Sequence, residues 1–337
     1  MSAFSRFAFL VCDAVLIAVA SVNIASMREV ADLPGEYRPA VPGLSSSAVH
    51  AGAARTVVRL EGNAVNSPEL LRYDLSYSSP GDSVAVTDAD SAAVSERMIR
   101  LVPKYAAFDL GTIIGVGAVF FVFAIYIIVK HSGRSFAGVL HAVAVCAAVM
   151  VVFDWGSLRM FPSWFNAVRF FIFDVAIWML PTLFLHFSFI YPGDKGGHKR
   201  LFTTVFYLVS LAGLGVTVYY LIQIFFQGVH MEDTHYLDYH ARGSDVFLMA
   251  GLLATVANLE HSALAIRDPH ERKRIYWVLL GISFGPLVYV FLILVPRNML
   301  GYELVSQSAM QYTLLMAPLM FYLAVRKKPS EEIHQSS

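Results

Sequence analysis

Three histidines, His141, His186 and His261, sit in otherwise apolar stretches, and Glu260 adjoins the last of them. Imidazole ligates zinc, copper and haem iron and titrates near neutral pH, so such a set suits metal binding, bis-histidine haem ligation or proton handling. Each ring falls about six residues from the basic end of its stretch, which on a helix sets all three at a common depth of about 9 Å. Equal depth is not equal face, and the structural alternative is packing or hydrogen bonding between helices. A second set, Asp154, Trp155, Arg159, Arg169, Asp174 and Trp178, mixes opposite charges with indoles near the other end. Those residue types form either an interfacial belt of salt bridges and aromatic rings or the wall of a cleft for a small amphiphilic ligand. A third set, Arg272-Lys273-Arg274, follows Asp268-Pro269, which reads as the N-cap and first residue of a helix. Its cations are expected on the first exposed turns, where they satisfy an anionic leaflet or dock a cytoplasmic partner.

The scaffold that positions these residues is legible in composition. The chain has 337 residues, 57% of them hydrophobic and 15% charged, with a mean hydropathy of +0.58, which is the composition of a membrane protein. Its formal net charge of zero offers no basic field for nucleic acid. Cys12 and Cys146 each lie within apolar segments, so neither a disulfide framework nor a zinc site with proper ligand spacing is expected. A hydrocarbon layer of about 30 Å needs about 20 apolar helical residues. Such windows occur near 7–26, 107–129, 136–155, 170–191, 201–226, 245–266, 275–295 and 305–325. The expected fold class is therefore an all-α polytopic membrane bundle of about eight transmembrane helices, with a small α+β domain between helices 1 and 2.

Short cytoplasmic loops retain Lys and Arg, and the gaps sort by that rule. Arg6, Lys130 to Arg134, Lys195 to Arg200, Arg267 to Arg274 and Arg326-Lys327-Lys328 fall on one side, which places both termini in the cytoplasm. The stretches His230 to Arg242 and Asn298 to Glu303 fall on the other, with Arg159, Arg169 and Arg297 as exceptions. The expected domains are an anchor over 1–26, an extracytoplasmic domain over 27–104, a bundle over 105–326 and a cytoplasmic tail over 327–337. Asp13 within the first apolar run argues for an uncleaved anchor over a cleaved signal peptide. Gly281 and Gly285, like Gly111, Gly115 and Gly117, are expected to permit close helix packing, not to cradle phosphate.

Residues 27–104 change character, with Pro34, Pro39, Pro42, Pro68, Pro80 and Pro103 and no helical apolar window. Thr56-Val57-Val58-Arg59-Leu60 reads as a strand followed by a Glu61-Gly62-Asn63 turn, and Ser67-Pro68 as the start of a helix over about 68–76. Pro80-Gly81-Asp82 reads as a turn and Ser83-Val84-Ala85-Val86-Thr87 as a second strand. This order, with Ala51-Gly52-Ala53, Gly62-Asn63-Ala64-Val65 and Ser67-Pro68-Glu69-Leu70, resembles the core of a degenerate PDZ-like domain. Ala54-Arg55 stands where that family has Gly-Asp before the strand, so peptide capture by strand addition and a plain folded spacer both stay open.

Three further segments carry a second resemblance: Leu185-His186-Phe187-Ser188-Phe189-Ile190-Tyr191-Pro192, Asp268 to Gly281, and Ala317 to Arg326. Together they resemble the membrane sensor half of multi-pass bacterial histidine kinases of the competence-pheromone-receptor type, which often carry a PDZ-like domain after the first helix. The resemblance implies a sensor of the bacterial inner membrane. A kinase would need a phosphoacceptor helix and a glycine-rich lid, and neither is expected in the dozen or so residues after Val325, so catalysis by the chain is not expected. The leading expectation is a sensor or receptor module that passes an extracytoplasmic or membrane signal to a cytoplasmic signalling protein, with the lipid bilayer as its other partner. The alternative is an accessory subunit of a larger, possibly redox, membrane complex using the histidines, with haem as the one candidate cofactor. A transporter comes third, since no inverted repeat or pair of broken helices stands out.

Overall fold

A computed structural model of the chain describes residues 2–34, 37–39, 55–64, 75, 78–90, 93–153, 164–192, 199–229, 236–296, 305 and 307–326. Helix α1 spans Ala3–Met27. A β domain follows, with strands β1 Ala31–Asp32, β2 Tyr37–Pro39, β3 Arg55–Leu60, β4 Asn63–Ala64, β5 Ser83–Asp90, β6 Ala93–Arg100 and β7 Val102–Pro103. The helices then run α2 Ala107–His131, α3 Ala137–Val152, α4 Trp164–Ile190, α5 Lys199–Phe226, α6 Tyr236–Ala265, α7 Pro269–Ile282, α8 Gln307–Leu314 and α9 Met316–Val325. Beyond Ile282, α7 continues through two π-helical turns, Ser283–Leu287 and Val290–Leu294. Six helices are long and apolar enough to cross a membrane: Phe4–Met27, Ala107–His131, Trp164–Ile190, Leu201–Phe226, Arg242–Ala265 and Pro269–Leu294. Ala137–Val152 and Met310–Val325 are apolar but shorter.

The β domain is built on β3, which pairs parallel with β2 and antiparallel with β4 and β5, while β5 forms a hairpin with β6. The expected strands at 56–60 and 83–87 fall within β3 and β5. Positive φ at both Glu61 and Gly62 makes the two-residue connection that suits the twist of the β3–β4 hairpin, and Glu61 then accepts from the Ala85 amide at 2.6 Å. Val57, Leu60, Val84, Val86 and Ile99 fill the core with Leu75. The helix expected at 68–76 lies outside the described residues except for Leu75. Strand β6 was not expected, because Glu96, Arg97, Met98 and Arg100 are all exposed and show no inward alternation. Its place comes from cross-strand pairing along the whole of β5. A small antiparallel pair closes the domain, with Ala31 opposite Pro103 and Asp32 opposite Val102. The end of α1 and the start of α2 are thus clasped together, and the Lys104 amide donates to the Val30 carbonyl at 2.9 Å.

In the bundle, α2, α3, α4, α6, α7 and the α8–α9 pair contact one another in sequence and close into a ring, with α9 and α8 returning to α2. Helices α1 and α5 lie outside it, α1 on α2 and α3 and α5 chiefly on α4. Small residues let the ring close. A Cβ on Gly281 would stand 3.0 Å from the Met320 Cβ and 3.3 Å from Ala317, and Gly251 admits Pro181 of α4. Polar side chains join neighbours: Asn258 donates to Ser188 at 2.7 Å between α6 and α4, and Thr112 and Tyr312 hydroxyls lie 2.8 Å apart between α2 and α8. The Tyr191 hydroxyl donates to the Ala324 carbonyl at 3.0 Å and ties the end of α4 to the end of α9.

Several helices start earlier than their apolar windows, α4 and α6 among them. Helix α4 begins at Trp164, not near 170, and α6 at Tyr236, not near 245. The charged residues Arg169 and Arg242 interrupt the hydropathy pattern but not the backbone ladder.

Candidate functional site

Only 17% of the apolar stretch of α1 is buried, yet two polar residues, Asp13 and Asn23, are among the buried positions of the helix. Asp13, Ala20, Asn23 and Met27 face the bundle, while Phe4, Phe7, Val11, Val15 and Val22 face outward. The seven-residue spacing of 13, 20 and 27 is a packing seam of the coiled-coil kind, here carrying polar groups inward because the outward side is apolar.

At the domain end of the seam, the Asn23 amide donates to the Val152 carbonyl at 2.6 Å. Val152 is the last residue of α3, so its carbonyl belongs to the terminal turn that lacks helical partners, and Asn23 caps it from another helix. The Asn23 carbonyl oxygen also accepts from the Arg169 guanidinium, which is 2% exposed and further donates to Asn166 at 3.2 Å. Its carbon lies 5.5 Å from the centre of the Phe165 ring. One asparagine therefore joins α1, α3 and α4.

About 15 Å along α1, ten residues earlier, Asp13 meets His141. The His141 Nε2 lies 3.3 Å from Asp13 Oδ1, its Nδ1 lies 3.0 Å from the Ala124 carbonyl, and the Phe9 ring sits edge-on at 4.9 Å. A carbonyl only accepts, so Nδ1 carries a proton. The contact with Asp13 then needs one more proton, on Nε2 or on the carboxyl, and in either form the pair is neutral overall. Such neutrality suits a site away from water.

The expected layer of histidines does not form one site. His141 points towards α1 and α2, His186 towards α5, where its Nδ1 lies 3.0 Å from the Tyr207 hydroxyl, and both His261 and Glu260 are exposed. Helical windows set their depth, and rotation about each helix axis separates them. Among the described residues no group of three or more His, Cys, Asp or Glu is placed to hold a metal ion.

The second expected set also divides. Asp154, Trp155 and Arg159 lie outside the described residues. Arg169, Asp174 and Trp178 are buried in helix contacts. Arg169 serves α1, while Asp174 accepts from Thr217 of α5 at 2.8 Å. The Trp178 ring packs over Gly213 of α5, where any side chain would collide, and its carbonyl accepts from Ser210 at 2.8 Å.

At the opposite end, Asp268 caps α7 by accepting from the His270 amide at 2.9 Å, with Pro269 in the first turn, as its sequence predicts. The three cations behind it are not equivalent. Arg272 donates through Nη2 at 2.8 Å and Nε at 3.3 Å to the Ile266 carbonyl, just past the end of α6, so it fixes the α6–α7 connection. Arg274 is half-buried and Lys273 is exposed, as are Arg267, His270 and Glu271.

A further feature lies on the ring axis. A cavity of about 90 Å³ is bounded by all six members of the ring, with Phe123, Ala144, Leu180, Leu252 and Phe321 among its apolar lining. Asp245 and Gln311, 5% and 4% exposed, reach it from α6 and α8, and Tyr289 from between the two π-helical turns. Neither Asp245 nor Gln311 was singled out from sequence. Polar residues within spans are the signal that marks them, but nothing in the chain shows that α6 and α8 meet. No protein-family model, curated protein or solved structure matches the chain.

Proposed function

We propose that the chain is a sensor or receptor module of the bacterial inner membrane, crossing it eight times with both termini in the cytoplasm and the PDZ-like β domain outside. In this reading a signal at the β domain or in the membrane passes through the bundle to a cytoplasmic signalling protein. The observation that carries it is the double attachment of α1. The helix that leads into the β domain is held by α3 and α4 at Asn23 and again by α3 at Asp13. A displacement of the domain is therefore delivered to α3 and α4 along a rigid element held at two points. The β1–β7 pair supports the same reading, since it ties the domain to α1 and α2 together. So does the resemblance of α4, α7 and α9 segments to the sensor half of histidine kinases. The reading of an accessory redox subunit depends on histidines that point in different directions, and it gains no support from them.

The exposed start of α7 supplies the surface for the cytoplasmic partner, and Arg267 and Lys273 are its free-standing cations by position. Arg272 is left unchanged in the test because it holds the end of α6. Purification of the wild type and of an Arg267→Gln/Lys273→Gln variant from the native membrane, at matched insertion, compares their co-purifying cytoplasmic proteins. Loss of a partner in the variant is the expected result. A variant that keeps every partner, or a wild type that brings none, would refute docking at α7.

A further inference from the structure

The cavity on the ring axis has a wall that is apolar except at Asp245, Tyr289 and Gln311. Asp245 already has an interaction within the protein. Gln311 differs: its Oε1 is buried and accepts no hydrogen bond. A buried amide oxygen without a donor is costly, and such atoms are uncommon in folded proteins. One side of the cavity is formed by the π-helical turns of α7, which carry Pro286 and Leu294 to the wall with Tyr289 between them. Proline removes one backbone donor, the wide turns accommodate its ring, and π turns recur where a helix is shaped around a function. About 90 Å³ is room for roughly three waters or, on the scale of a cavity of about 150 Å³ that takes benzene, an aliphatic group of about three or four heavy atoms. Water alone would satisfy Gln311 but leave the apolar remainder of the wall poorly filled.

We propose that this cavity is a binding site for a small lipophilic hydroxyl compound, an aliphatic alcohol of about three or four heavy atoms, whose O–H donates to Gln311 Oε1 while its chain packs on the apolar ring. The hydroxyl is preferred to an ammonium group because a cation in an apolar enclosure loses its hydration, and the one carboxylate present is already engaged. The ligand reaches the site by partitioning into the bilayer. Neither the site nor its occupant depends on the signalling reading.

The test compares 1-propanol with its isomer ethyl methyl ether, which has the same atoms and no donor. Saturation transfer from the full protein in nanodiscs of deuterated lipid to each compound is titrated, with protein-free nanodiscs as the partition control. The wild type should bind the alcohol about fivefold more tightly than the ether, the ratio that one neutral hydrogen bond gives. Gln311→Met, of similar size and without the amide, should bring that ratio to about one. Ala144→Leu, which fills the wall, should abolish transfer to both compounds. Equal affinity for alcohol and ether in the wild type, or a preference that survives Gln311→Met, would overturn the proposal. So would the absence of transfer to either compound, which leaves waters as the only occupants. If Ala144→Leu fails to fold, the Gln311→Met comparison decides.

Discussion

Asn23→Leu keeps the shape of the side chain and removes both of its polar contacts. Two partners are then left behind. The Val152 carbonyl at the end of α3 loses its cap, and the Arg169 guanidinium loses one acceptor while keeping Asn166. In water such losses are worth about 1 kcal/mol for the neutral bond and about 1.5–3 kcal/mol for the charged one. Within membranes measured values are smaller, about 0.6 kcal/mol on average with a ceiling near 1.7 kcal/mol. Taking the lower scale for each bond, and allowing for the buried charge, Asn23→Leu should destabilise the folded protein by about 2 kcal/mol, or about 30-fold in the unfolding equilibrium. Unfolding by sodium dodecyl sulfate titration from mixed micelles, followed by tryptophan fluorescence, measures this. Arg169→Met alone and together with Asn23→Leu completes a double-mutant cycle whose coupling should be about 1 kcal/mol. An Asn23→Leu variant within about 0.5 kcal/mol of the wild type, or a cycle with no coupling, would refute the reasoning that Asn23 joins three helices.

The second attachment predicts a different pattern: Asp13→Asn can still donate to the His141 Nε2 and should cost less than about 0.5 kcal/mol, whereas Asp13→Leu should cost about 1–2 kcal/mol in the same titration. Gly251→Val drives a side chain into Pro181 and should destabilise the α4–α6 contact by more than about 2 kcal/mol, read as a lowered melting temperature in detergent. The divergence of His141, His186 and His261 predicts no Soret absorption from the purified protein; a Soret band that weakens in His141→Ala would contradict it.

Much of the helical architecture was legible because bilayer thickness sets the length of an apolar run. Six of the eight apolar windows fall on helices long enough to cross a membrane, those at 136–155 and 305–325 overlap shorter helices, and the Asp268-Pro269 start of α7 followed from capping chemistry. Turns at Gly62 and Gly81 were legible too, since both residues adopt positive φ. What could not be read was rotation. A soluble helix shows its buried face as an apolar stripe, but a helix with lipid on its outer side is apolar all round, so no stripe marks the inward face. His141 and His186 therefore share a depth and diverge in direction, and Arg169 looked like an interfacial charge although it is held by α1. Asp13, which argued for an anchor, is the residue that pins that anchor to α3. The cavity was not legible for a related reason: it is made by seven helices whose adjacency no local pattern encodes.

Coupling along α1, from the β domain to the charged start of α7, is what a sensor requires of this architecture. An environment-sensitive fluorophore on Lys273→Cys, with Cys12 and Cys146 replaced by alanine, reports the surroundings of that start in nanodiscs. Its emission is compared with α1 attached and with both attachments removed by Asp13→Leu and Asn23→Leu. Coupling predicts that releasing α1 shifts the emission towards that of the dye in water, because the far end of the bundle loosens when the helix that braces it is freed. An emission spectrum that is the same in both proteins, while the doubly substituted protein remains folded, would contradict it.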